Sequence, residues 1–153
     1  MVSNLKWVWP LLLAGLYVGA TGCRSFKGTA PGYLTSVTIT NRPMADVTNA
    51  TVTVFTTHGF TVEQSGARQF VFRRPGNAMD QIAYGSYVVR QAVTVKARVT
   101  LQQTTPDSIL VGCDAWLVKS ENDPTLAESY PVGPMRKGPY EELLEDIKKQ
   151  LNE

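Results

Sequence analysis

The sequence predicts an α+β domain: an antiparallel sheet of about four to five strands, with one helix on its N-terminal side and a C-terminal helix packed on it. Three stretches carry that prediction. In "AVTVKARVTLQ", residues 92–102, apolar Val93, Val95, Ala97, Val99 and Leu101 alternate with Thr94, Lys96, Arg98 and Thr100. That is the period of a strand with one buried and one wet face. After the turn residues "TTPDS", "ILVGCDAWLV" places Ile109, Val111, Cys113, Ala115 and Leu117 on one face with Asp114 and Trp116 opposite. Pairing of these two runs is the simplest arrangement. The final segment changes period, with Tyr140, Leu143, Leu144, Ile147 and Leu151 forming one helical stripe.

The other elements follow in chain order. "YLTSVTIT" spaces Leu34, Val37 and Ile39 as on one side of a short strand. In the next segment composition and period disagree: Thr and Val favour a strand, whereas Met44, Val47, Thr51, Val54 and His58 recur at helical spacing. Pro43 suits a first helical turn and Gly59 a stop, so the segment 44–58 is predicted as a helix. "FTVEQ" and "RQFVFRR" flank the turn residues "SGA" and read as a hairpin, with Phe60, Val62, Phe70 and Phe72 on a shared face. A connector with a possible helical turn occupies 75–88, and a Pro- and Gly-rich loop spans 119–138. In the final helix Pro139 sits in the first turn, Glu141 and Glu142 suit the positive dipole end, and Lys148 and Lys149 the negative end.

A length of 153 residues fits one domain of ordinary size. Hydrophobic residues at 43% and charged ones at 18% argue against both disorder and a polytopic membrane protein. The net charge of +2 comes from basic residues dispersed among acids, without the long basic run that marks a nucleic-acid partner. The sequence holds no Gly-x-Ser-x-Gly, no His-Glu-x-x-His, no phosphate-binding glycine loop and no Cys/His cluster with metal spacing. The expectation is therefore a protein without catalytic residues, metal or cofactor. His58, the sole histidine, reads as a helix-end residue. Arg73, Arg74, Arg90, Lys96 and Arg98 lie on or beside the strands, and with Trp116 they form the candidate interaction surface.

The N-terminus carries the most specific signal. Lys6 precedes an apolar run from Trp7 to Val18, followed by small Ala20, Thr21 and Gly22 before Cys23. This is the layout of an export signal. A permanent span needs about 20 apolar residues, and this run is shorter and is interrupted by Pro10 and Gly15. "ATGC", Ala20 to Cys23, resembles the lipobox of bacterial lipoproteins, with Ala in place of the commoner Leu at the third position before the cysteine. The resemblance implies cleavage before Cys23, acylation of its thiol and, with Arg24 following it, sorting to the outer membrane on its periplasmic side. An ordinary signal peptidase accepts the same small residues, an uncleaved anchor would keep them, and a disulfide to Cys113 is the further option for Cys23. The expected organisation is a signal over 1–22, a lipidated tether over 23–33 and a single domain over 34–153.

The order of elements in the mature chain resembles that of the helix-grip domains of envelope lipoproteins; no binding residue is carried over from them. The expected role is that of a lipid-anchored envelope protein that touches the membrane through acylated Cys23 and docks onto another envelope protein. The competing expectation is a cleft between sheet and final helix that holds an apolar or lipid-like molecule, lined by Phe, Tyr and Trp116.

Overall fold

The computed structural model describes residues 32–84, 92–121 and 125–152. Cys23, the signal, all but the last two residues of the tether, and Arg90 lie outside the described residues. The domain is α+β, as the sequence predicts. Strand β1 (Thr35–Thr40) leads to helix α1 (Met44–Thr57), the hairpin β2 (Thr61–Ser65) and β3 (Gln69–Pro75), and short helix α2 (Ala78–Tyr84). The long hairpin β4 (Val93–Thr105) and β5 (Ser108–Lys119), strand β6 (Glu128–Pro131), a 3-10 turn (Pro134–Arg136) and helix α3 (Gly138–Asn152) complete it.

All neighbouring strands are antiparallel, in the order β1-β5-β4-β3-β2, and β6 makes a sixth strand on the β5 edge. β1 covers the first half of β5, from Ser108 to Cys113, and β6 covers the second half, from Trp116 to Lys119. The two short strands thus lie end to end along one edge. β6 is the strand missing from the predicted sheet; it falls within the stretch read as a loop.

Strand parity sorts the sheet into two faces. Val99 pairs with Cys113, Ala97 with Ala115 and Val95 with Leu117, and the same side receives Phe70 and Phe72 of β3. This inner face carries α1 and α3, and the core lies between sheet and helices. α1 contributes Val47, Ala50, Thr51, Val54 and Phe55; α3 contributes Tyr140, Leu143, Leu144, Ile147 and Leu151. The Phe55 ring stacks on Phe72 at 4.4 Å and meets Phe60 edge-on at 5.3 Å, within the preferred range for aromatic pairs.

Packing decides the ambiguous segment. α1 is rich in β-branched residues, which a helix disfavours by a few tenths of a kcal/mol each, about an order of magnitude less than burying its apolar stripe returns. The buried Thr51 avoids an unpaired hydroxyl by donating to the Val47 carbonyl one turn back, at 2.7 Å. Gly59 ends the helix with φ of +80°, a conformation that a Cβ disfavours. His58 is the residue at that end: its Nδ1 meets the Val54 carbonyl at 2.9 Å and its Nε2 lies 3.6 Å from Asp146 of α3.

Candidate interaction surface

The face opposite the helices is built from the other parity. β4 presents Thr94, Lys96, Arg98 and Thr100; β5 presents Gly112, Asp114 and Trp116; β3 presents Val71 and Arg73. Four of the sequence-predicted surface residues, Arg73, Lys96, Arg98 and Trp116, therefore share this outer face. Arg74 does not belong to it. It pairs with Val95, so it points to the inner side, where its guanidinium sits 5.1 Å from the Phe60 ring centroid. The correction follows from the two-residue period of a strand: adjacent arginines on β3 necessarily face opposite ways.

The outer-face cations are matched by acids. Lys96 Nζ lies 2.7 Å from both Glu63 and Glu121, and Arg73 reaches Glu121 at 4.0 Å. Glu121 arrives there because Ser120 adopts a left-handed φ of 49°, an uncommon conformation that ends β5 and turns the chain back. Burial works against the Lys96 charge, but hydrogen bonds to Glu121 and Glu63 outweigh it and hold the ammonium above its ordinary value. Hydrogen bonding from Lys96, ahead of an opposing burial effect, holds the Glu121 carboxyl below the usual range. Arg98 lies with its guanidinium 4.9 Å from the Trp116 ring, and Asp114 is its partner in register across β5. Arg73, Lys96 and Arg98 against Glu63, Glu121 and Asp114 leave no net charge, so this face lacks the excess of positive charge expected of an acid-binding surface.

Beside this network the face opens into a shallow depression of about 670 Å³, lined by Leu34, Arg98, Asp114, Trp116, Pro131 and Pro134 among others. Its rim comes from three parts of the chain: the entry to β1, the end of β6 and the 3-10 turn. Two hydrogen bonds fix the junction where β1 and β6 meet. The Leu34 N–H donates to Asp114 Oδ1 at 3.1 Å, and the Val132 N–H to the Ala115 carbonyl at 2.9 Å. From there Val132 turns into the core, Leu34 packs against the core while bordering the depression, and Tyr33 runs over the outer face. The Tyr33 ring lies directly on Gly112, where a Cβ would come within 2.6 Å of three ring atoms. Glycine at this position is what lets the ring lie against the strand.

The 3-10 turn is held by a second cluster. Asn77 and Asp80 cap α2 reciprocally: the Asp80 N–H donates to Asn77 Oδ1 at 2.9 Å and the Asn77 N–H to Asp80 Oδ2 at 3.0 Å. Asp80 is buried, and its other oxygen accepts from Arg136 Nη2, which ties the 3-10 turn to α2. Arg74, Asp80, Arg136 and Tyr140 surround a recess of about 160 Å³ where the sheet meets the start of α3. Burial pushes the Tyr140 hydroxyl up to about 12. This recess is small beside the 300–1,000 Å³ typical of ligand pockets. Elsewhere among the described residues the helix–sheet interface is filled, with Phe55, Phe72, Leu117, Leu144 and Ile147 each under 2% exposed. Trp116 lies on the far side of the sheet from α3, so it does not line a space between them.

Cys113 is a free, fully buried thiol on the inner face, and burial pushes its ionisation well above the ordinary range. The Tyr33 ring, just before β1, lies on the opposite side of the sheet from this thiol. Among the described residues no group of His, Cys, Asp and Glu is placed to hold a metal ion, and no helix is long and apolar enough to cross a membrane. The sequence matches no protein-family model, and no curated protein matches it at a significant level.

Proposed function

We propose that this chain is a lipid-anchored protein of the bacterial cell envelope, held on the periplasmic side of the outer membrane by acylated Cys23, with a structural or protein-interaction role and no catalysis. The sequence "ATGC" after a short, broken apolar run supports the anchor. Two or three acyl chains make membrane release negligible, since each buried methylene contributes about 0.8 kcal/mol. The observation that carries a surface role is the pairing of a core that is filled among the described residues with an open surface on the other side of the sheet: Trp116, Leu34 and Pro134 border a depression that another envelope component, lipid or protein, can cover. Its partners would be the membrane and an envelope protein.

Cell fractionation tests this reading. The wild-type chain should sediment with membranes and resist extraction by high salt, and Cys23→Ser should move to the soluble fraction. Salt-resistant sedimentation of Cys23→Ser to the wild-type extent would contradict it.

A further inference from the structure

We infer that the outer depression seats on the lipid surface itself, so that the membrane to which Cys23 is anchored is the occupant of the face bearing Trp116. The inference deepens the lipid-anchor reading and rests on it. Its warrant is the place where the described chain begins and the length of chain before it. Gly32 lies nine residues beyond Cys23, a separation of at most about 30 Å even when fully extended. A domain of about 120 residues has a radius of gyration of about 14 Å and measures about 35 Å across. The tether is thus no longer than the domain is wide. A chain that short, joined to the outer face, keeps that face within about 30 Å of the bilayer and is too short to pass round the domain so that the helix side rests there instead.

The residues at the junction suit the interface between lipid and water. Tyr33 is half-buried on the outer face, Leu34 is half-buried at the border of the depression, and Trp116 carries the Arg98 guanidinium over its ring, an apolar body with a cationic tip. Pro131 and Pro134 are exposed at the rim, and Met135, next in the 3-10 turn, is fully exposed with a relative accessibility of 101%. Aromatic side chains with a polar handle concentrate at this depth of a membrane. Because Arg73, Lys96 and Arg98 are matched by Glu63, Glu121 and Asp114, the contact is made by apolar and aromatic groups and does not select anionic headgroups. A protein partner is left with the helix side and the exposed β2 edge.

Trp116 is the only tryptophan after Cys23, which makes its emission a local probe. The test reconstitutes the membrane-extracted full protein into phosphatidylcholine vesicles, with and without phosphatidylglycerol, containing lipid brominated near the headgroup end of the acyl chain. The expected result is flotation with the vesicles and loss of most Trp116 emission in both compositions. Met135→Glu, at a site with no packing to lose, should float equally and recover emission. Flotation with Trp116 unquenched and open to aqueous iodide would overturn the inference and leave the anchor standing. Flotation with Trp116 unquenched yet shielded from iodide would overturn it in favour of a second copy on this face. Failure to float would overturn both the anchor and the inference.

Discussion

Replacing Arg136 by alanine removes the partner of a buried carboxylate and frees the turn that forms one rim of the outer depression. Asp80 is 4% exposed, so without Arg136 the hydrogen bond left to its charge among the described residues is that from the Asn77 N–H, at 3.0 Å, to set against lost hydration. Breaking a fully enclosed ion pair from one side costs about 3–5 kcal/mol. Here the Arg136 side chain is 38% exposed and the capping hydrogen bond survives, so a loss of about 2 kcal/mol is expected. In a domain of this size each kcal/mol moves Tm by about 4 °C, which gives a fall of about 8 °C in a thermal melt followed by circular dichroism at neutral pH. The double substitution Asp80→Asn with Arg136→Ala removes the stranded charge and should cost less than the two single changes added together. A Tm for Arg136→Ala within about 2 °C of wild type, the scale of an exposed ion pair, would mean that the Asp80 carboxylate does not depend on Arg136.

The Lys96 network predicts an acid limb of stability. Glu121 is held below its ordinary pKa, so its contribution is present above the ordinary carboxylate range and is lost as pH falls through the lowered value. Denaturant melts across pH 6 to 3 should therefore show a smaller loss for Glu121→Gln than for wild type, and equal losses would contradict the network. The Lys96 ammonium, held above its ordinary value, contributes fully below that value and fails only as pH rises beyond it, so Lys96→Met should flatten the alkaline limb and, by removing the hydrogen bond that lowers the Glu121 pKa, shrink the acid limb as well. Cys113, free and buried, should resist maleimide in the native protein and react once the chain is unfolded in guanidinium; rapid native labelling would mean that the core opens locally at β5.

The parts legible in sequence are those where one residue's surroundings repeat with the period of its element. β4 could be read residue by residue from Val93 to Leu101 because each odd position there is buried in the core and each even one faces outward. The same period places Trp116 and Asp114 correctly opposite Cys113, and α1 was recoverable because its stripe outweighs its composition. Arg74 was legible in principle: Phe72 faces the core, so Arg73 must face out and Arg74 in. "NAMD" likewise carried the reciprocal cap of Asn77 and Asp80, whereas the reach of Asp80 to Arg136, far along the chain, left no local trace. Nor did the seating of Tyr33 on Gly112, or the return of Glu121 to Lys96 through the left-handed Ser120. β6 escaped because a four-residue edge strand ending in proline has the composition of a loop.

Acylation of Cys23 is tested directly by the intact mass of the protein extracted from membranes. The expected species is a chain that begins at Cys23 and outweighs the unmodified residues 23–153 by a diacylglyceryl group, with or without a further acyl chain. A mass equal to the unmodified residues 23–153, or to the uncleaved chain, would contradict it.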